Sequence, residues 1–324
     1  MSSAFPTEVT ASGVAAPAPR RPARRPRALT TAQRRHARYV PLAFLGPVLL
    51  VQVTFLFLPL INTFVLSFTD AQTIGGGRFV GLDNFARLAA DAQFWAAVGR
   101  SVLYVAVVVP TITALSLSLA LLINTTIRGS AIVRGILFSP FVLPMAIVAM
   151  MFDWLLSSDG MINQLLEALH VVNEPVRFLS DPSLALFSIM AVTIWKSTAL
   201  YTLILLAALR NVSQELDEAA ELDGAGWLRR TWQVTLPQIR GTTILIAILA
   251  AVASIRAFTE PYVMTGGGPG RSTETLVLYL YRNGISPGTD AGYASAISLF
   301  LFFMVVLVSV ARWLATRRHQ ESPS

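Results

Sequence analysis

Residues 215 to 230 read ELDEAAELDGAGWLRR and lie between two runs apolar enough to cross a membrane. The stretch packs five carboxylates, two arginines and two glycines into sixteen residues. Its polarity separates two architectures: a large soluble core, or a membrane fold with a structured polar loop on one face.

Composition favours the membrane fold. The 324 residues are 54% hydrophobic and 13% charged, about half the charge of an ordinary soluble domain. Six runs are long enough for a hydrocarbon core of about 30 Å, which takes roughly 20 helical residues. They fall near 41–68, 97–123, 134–156, 183–209, 241–265 and 291–314. Pro140 and Pro144 inside the third are tolerated where neighbouring helices satisfy the freed carbonyls. The expected fold is all-α and polytopic, with six transmembrane helices.

Arginine placement orients it. With the N-terminus cytoplasmic, seventeen basic residues lie on the inside and five in the outer loops, as the positive-inside rule requires. Both termini are then cytoplasmic, and a single cysteine at Asn163 is expected to react from outside. Residues 1–38, basic and rich in Pro and Ala, are expected to form a disordered cytoplasmic tail. Residues 39–316 form the six-span domain, with a cytoplasmic loop over about 210–240, and 317–324 a short second tail. The first apolar run exceeds the roughly 7–15 residues of a signal-peptide core. Beside a first span, the arginine cluster is an anchor to the bilayer rather than a nucleic-acid arm, so no nucleic-acid partner is expected.

Several chemistries are excluded. Cysteine is absent, and His36, His170 and His319 are scattered, so no metal site is expected. Lys196, the sole lysine, sits in IWKST with no glycine loop before it. A nucleotide P-loop needs its lysine after such a loop, so this chain is not expected to hydrolyse ATP. TGGGPGRS (265–272) follows a membrane helix rather than a strand and reads as a turn at the outer mouth. Asp153, Lys196, Arg256 and Glu260 fall within predicted spans and are expected to face protein or water. Arg256 and Glu260, four apart on one expected helix, can pair structurally; alternatively these charges line a translocation pathway.

The opening stretch reads as helix, break, helix. Ser213 is the N-cap, and Glu215, Asp217 and Glu218 load the first turn with the charge a helix dipole favours. Leu216, Ala219 and Ala220 share a face, Gly224 stops the helix, and a second piece from Trp227 ends at Pro237. A surface helix resting at the headgroups fits the same residues.

Glu218-Ala219-Ala220, then Asp223-Gly224-Ala225, then Leu236-Pro237 resembles the EAA loop of permease subunits of ATP-binding-cassette importers. Val234 departs from it, standing where isoleucine is commoner. FVGLDNF (79–85), RGILFSPFVLP (134–144) and GMINQLL (160–166) are similar to other segments of the family. PYVMTGGGPGRSTETLVLYLY (261–281) is similar to the first of two permeases in carbohydrate importers of the maltose, glycerol-3-phosphate and trehalose type. The resemblance implies a bacterial plasma-membrane subunit that couples to a separate ATPase. Its partners would be a second permease, two ATP-binding subunits, an extracytoplasmic solute-binding protein and a sugar. It implies no cofactor on this chain, ATP–Mg being held by the ATP-binding subunits. By the same resemblance Glu218, Ala219, Ala220, Asp223 and Gly224 form the joint with the ATPase, and Leu236 and Pro237 set the return into span five. A secondary transporter or channel driven by an ion gradient is the alternative, although no internal repeat of the kind such folds carry is visible.

Overall fold

The computed structural model describes residues 45–72, 76–124, 130–285 and 289–320; the basic tail 1–38 and residues 321–324 lie outside the described residues. By Cα proximity the chain divides after Leu58, with the body running from Pro59 onward. Among the described residues there is no strand, only isolated bridges between Thr69 and Phe79 and between Gln72 and Asp290.

Among the described residues, five helices are long and apolar enough to cross a membrane: α1 (Leu45–Leu66), α3 (Ala92–Ile123), α7 (Ala185–Leu209), α9 (Trp227–Ile255) and α12, whose apolar part is Ala291–Val310. A sixth candidate is a bent pair, Gly135–Val142 and Met145–Leu155, meeting at 104°; α4 (Ser130–Val142) and α5 (Met145–Leu155) are its halves. Short helices complete the order: α2 (Asp83–Ala90), α6 (Met161–Ala168), α8 (Gln214–Leu222), α10 (Thr259–Thr265) and α11 (Leu276–Gly284). The helix α12 continues to Gln320.

The core follows the helical period. On α3 the buried residues are Phe94, Ala97, Ser101, Tyr104, Val108, Ile112, Ser116, Ala120 and Ile123, one stripe at spacings of three and four. Its C-terminal part meets α7 and α9 through Ile189, Met190, Leu205, Ile246 and Ala250. Its N-terminal end packs on Leu88, Leu276, Tyr293 and Ile297. Small residues bring α3 against α7, where the Ser116 hydroxyl reaches the carbonyl of Thr198 at 3.2 Å. Large exposed side chains such as Leu49, Phe55, Phe303 and Leu307 cover the kind of surface that lipid solvates.

Three expectations are corrected. The third span, expected as one helix over 134–156, breaks at Leu143–Pro144, because the residue before a proline is driven out of the helical region and Pro144 has no N–H to continue the ladder. The fifth runs from Trp227 to Ile255 rather than 241–265, so Pro237 does not end the second piece of the loop. A π turn, Thr231–Thr235, precedes it, with the Leu236 N–H bonded to the Thr231 carbonyl. That wider register makes room for a ring that would otherwise crowd the carbonyl of Gln233. Asn163 is 1% exposed. Its side chain bonds Ser157 and Val176, accepting the Val176 N–H at 2.9 Å, so a cysteine there would disturb the fold; exposed Leu169 on the same segment is the better probe.

Candidate functional site

The polar interruption forms a structured surface. Helix α8 ends in a double reverse bond: the Ala225 N–H donates to the Ala220 carbonyl (2.9 Å) and the Gly224 N–H to that of Glu221 (3.0 Å). Gly224 takes φ +77°, and a Cβ there would meet nothing within 4 Å. The glycine is therefore required by the left-handed backbone alone. Glu218, Ala219, Asp223 and Gly224 are exposed and Ala220 half-buried. Leu222 is 90% exposed, beside exposed Leu216, Trp227, Leu228 and Trp232. Ser213 stands in the N-cap position, extended at φ −64° and ψ 118°, without a side-chain capping bond. Leu236 packs against the main core, and Pro237 lies exposed in the first turn after the π segment. All seven residues singled out for this loop thus fall on one segment, with five at the α8 turn and two where α9 enters the body.

The four charged residues expected in the spans are not brought together. Arg256 caps the end of α9, exposed, and Glu260 lies on α10 across a three-residue break. They do not share a helix, and among the described residues no ion pair joins them, which corrects the expected pairing. Glu260 is instead buried, its Oε1 accepting from Thr193 Oγ1 at 3.2 Å. Thr193 in turn receives the Tyr104 hydroxyl at 2.6 Å. This chain of three polar groups ties α3, α7 and α10 beside a cavity of about 70 Å³ lined also by Ser197, Tyr201 and Ser254. Lys196 is half-exposed, its Nζ 5.9 Å from the Phe141 ring centroid, at the edge of cation–π range. Asp153 lines a separate polar cavity of about 570 Å³ with Asp159, Arg177, Thr265 and Pro269.

The TGGGPGRS turn borders that cavity and is held from behind. Glu274, fully buried, accepts from Arg282 Nη1 at 2.6 Å, while Arg100 Nη2 and Arg271 Nε each approach it at 3.9 Å. Arg100 Nε also donates to the Glu274 carbonyl at 2.8 Å. The hydroxyls of Thr265 and Thr273 meet at 2.6 Å, and that of Thr275 reaches the Ala257 carbonyl at 2.7 Å. A second joint forms where α3 begins. Asp91 accepts from the N–H groups of Gln93 and Phe94 and from the hydroxyls of Tyr279 and Tyr293. Burial pushes its carboxyl upward, but those four donors outweigh it and hold Asp91 below the usual carboxylate range.

Sequence reasoning missed Thr193 as the partner of Glu260, Tyr104 as the partner of Thr193, and Glu274 and Asp91 as hubs. A hydroxyl on a uniformly apolar helix gives no signal in a single sequence. For Glu274 one was present: Arg271 and Arg282 flank a lone acid within an apolar stretch.

Residues 95–320 match the family described as binding-protein-dependent transport system inner membrane component. The trehalose/maltose transport system permease protein MalF of Thermococcus litoralis is 36% identical over 266 residues, covering 82% of this chain and 89% of that protein. The lactose transport system permease protein LacF of Rhizobium radiobacter is 29% identical, over 86% of this chain and 94% of that protein. Among solved structures, a bacterial ABC transporter involved in the import of the acidic polysaccharide alginate superposes with a TM-score of 0.78 at 22% identity, covering 87% of this chain and 96% of that one. A second alginate transporter structure, in complex with an alginate pentasaccharide-bound periplasmic protein, gives 0.78 at 21% identity, over 89% and 98%. With the polar α8 surface, the broken third span and this extent of likeness together, the chain belongs to the family of inner-membrane components of binding-protein-dependent transport systems.

Proposed function

We propose that this chain is one permease subunit of an ATP-driven sugar importer, and that α8 is the joint through which a separate ATPase moves it. The observation that carries the reading is the exposed edge from Glu218 to Gly224, ordered by its own backbone bonds yet burying no described side chain of α8 in the body. A helix that gains so little from its own fold is suited to docking against another subunit, and the small Ala219 and Ala220 permit close approach.

In this reading the bent pair α4–α5 counts as one span, giving six in all with both termini cytoplasmic. The chain forms half of a pathway completed by a second permease. An extracytoplasmic binding protein delivers cargo to the outer face, where the polar cavity beside the TGGGPGRS turn opens. Two ATP-binding subunits hold ATP–Mg and close on hydrolysis-competent nucleotide, and α8 transmits that closure to α9, with which it is continuous in the chain. Cargo of the sugar class is supported by relatives named for trehalose/maltose, lactose and sulfoquinovosyl glycerol transport. Asp153 borders the outer cavity; in this reading Lys196, Arg256 and Glu260 are further candidates for the pathway, since charge in an apolar span is costly unless it meets protein or water.

The test is uptake by the assembled importer of labelled trehalose, maltose, lactose, sulfoquinovosyl glycerol and glycerol-3-phosphate, with and without Gly224→Val. Uptake of a panel member that is abolished by Gly224→Val, with insertion unchanged, is expected. Uptake that survives the substitution contradicts the assignment of the joint. Uptake that persists without ATP points to an ion-driven carrier.

A further inference from the structure

Two glycines, Gly224 and Gly226, separate α8 from α9, and no described side chain of α8 is buried. Hydrophobic packing therefore does not fix the angle between the docking helix and the span it must drive. Behind α8 lies a cavity of about 420 Å³ lined by Leu121, Asn124, Arg210, Asp217, Trp227 and Arg230 among others, so the helix stands off from the body. Two side chains of α9 cross the gap. At the start of α8, Gln238 Oε1 accepts the Ser213 N–H at 3.3 Å, and at its far end Arg230 reaches the α8 side chains. Arg230, near the start of α9, donates from Nη1 to the Glu221 carboxylate, and its Nε lies 3.7 Å from Asp217 Oδ1. Its side chain is only 19% exposed, while Arg229 beside it points outward and bonds Gln233 within α9 (3.0 Å).

We propose that Arg230 is a positioning residue for coupling: a splint across the glycine hinge that makes α8 and α9 one rigid lever. The proposal rests on the reading of α8 as the ATPase joint. Asp217 and Glu221 are four apart and so present both carboxylates on the same side of α8. A guanidinium can engage two such groups because its donors form a planar fork, which an ammonium lacks. Isolated surface pairs contribute little, but a guanidinium only 19% exposed, hydrogen-bonded to Glu221 and facing the Asp217 carboxylate with an Nε that has no other partner among the described residues, leaves α8 one orientation rather than a range. Force applied at Ala219 and Ala220 then arrives at α9 as rotation instead of being absorbed in the turn.

The absence of native cysteine makes the test direct. Spin labels on Leu216→Cys and Trp232→Cys, both exposed positions, report the α8–α9 distance distribution in the assembled importer, without nucleotide and with ATP–Mg. A narrow distribution is expected for the native arginine, and a broad one for Arg230→Gln. Asp217→Asn with Glu221→Gln should broaden it equally, and the combined variant no further, since residues acting as one unit are not additive. Uptake should fall at least about fivefold in each, the low end of coupling between sites, while ATP hydrolysis continues. A distribution that stays narrow in Arg230→Gln overturns the splint, as does additive broadening. Should Arg230→Gln fail to assemble, the paired carboxylate variant carries the same comparison. The distance width is independent of cargo, so its failure is distinct from failure of the joint itself, which Gly224→Val reads.

Discussion

At Gly224 a single dihedral carries the consequence. With φ at +77° and open space where a Cβ would stand, Gly224→Ala should insert and assemble at a cost of about 1–2 kcal/mol in local backbone energy. Gly224→Val, whose branched side chain resists that conformation further, should uncouple uptake; the measured ratio of transport to ATP hydrolysis decides between them. The motif's glycine was legible in sequence because left-handed stops have few alternatives. Asp91 was not, since an acid before an apolar run looks like any N-cap, and its tyrosine partners lie 188 and 202 residues away. Because the folded carboxyl is held below its ordinary value, its stabilisation is complete above the unfolded pKa of about 3.9 and is lost as pH falls through the lowered folded value. Asp91→Asn should retain the cap but lose this acid dependence. Asp91→Ala should cost about 1–3 kcal/mol by thermal unfolding at neutral pH. Equal acid sensitivity in the native chain and Asp91→Asn would contradict the account.

Among the elements, the breaks matter more than the lengths. The fourth span matched its expected run within two residues, because α7 is enclosed on several sides and reads as unbroken apolar sequence. The third and fifth did not match, each departing from its expected run at a proline. Pro144 ends one helix and starts another, whereas Pro237 is absorbed by a π turn, and no local rule separates the two outcomes from sequence alone. The break at Arg256–Phe258 moved Glu260 onto α10, where Thr193, itself bonded to Tyr104, donates to it. Thr193→Val removes both hydrogen bonds of that chain at nearly constant volume. It should lower thermal stability by roughly 0.6–1.7 kcal/mol per bond, from the average to the largest value for hydrogen bonds between membrane helices. No change in unfolding temperature would show that the three groups do not hold these helices together.

For the molecule as a whole, the apolar runs, the arginine bias and the loop motif were enough to reach the family, since each is a property of many residues at once. The interior polar contacts were not, because each depends on two helices meeting at one point. Topology is tested with single cysteines and an impermeant maleimide on intact cells. Leu169→Cys should react from outside and Leu216→Cys only once the membrane is opened; the reverse pattern would invert the orientation. The central claim, that α8 meets an ATPase, is tested most directly by a benzophenone coupled to Ala219→Cys in the assembled importer. The account predicts a light-induced adduct with the ATP-binding subunit, and none from the same group on Leu169→Cys. Adducts only with lipid, or no adduct to that subunit, would contradict it.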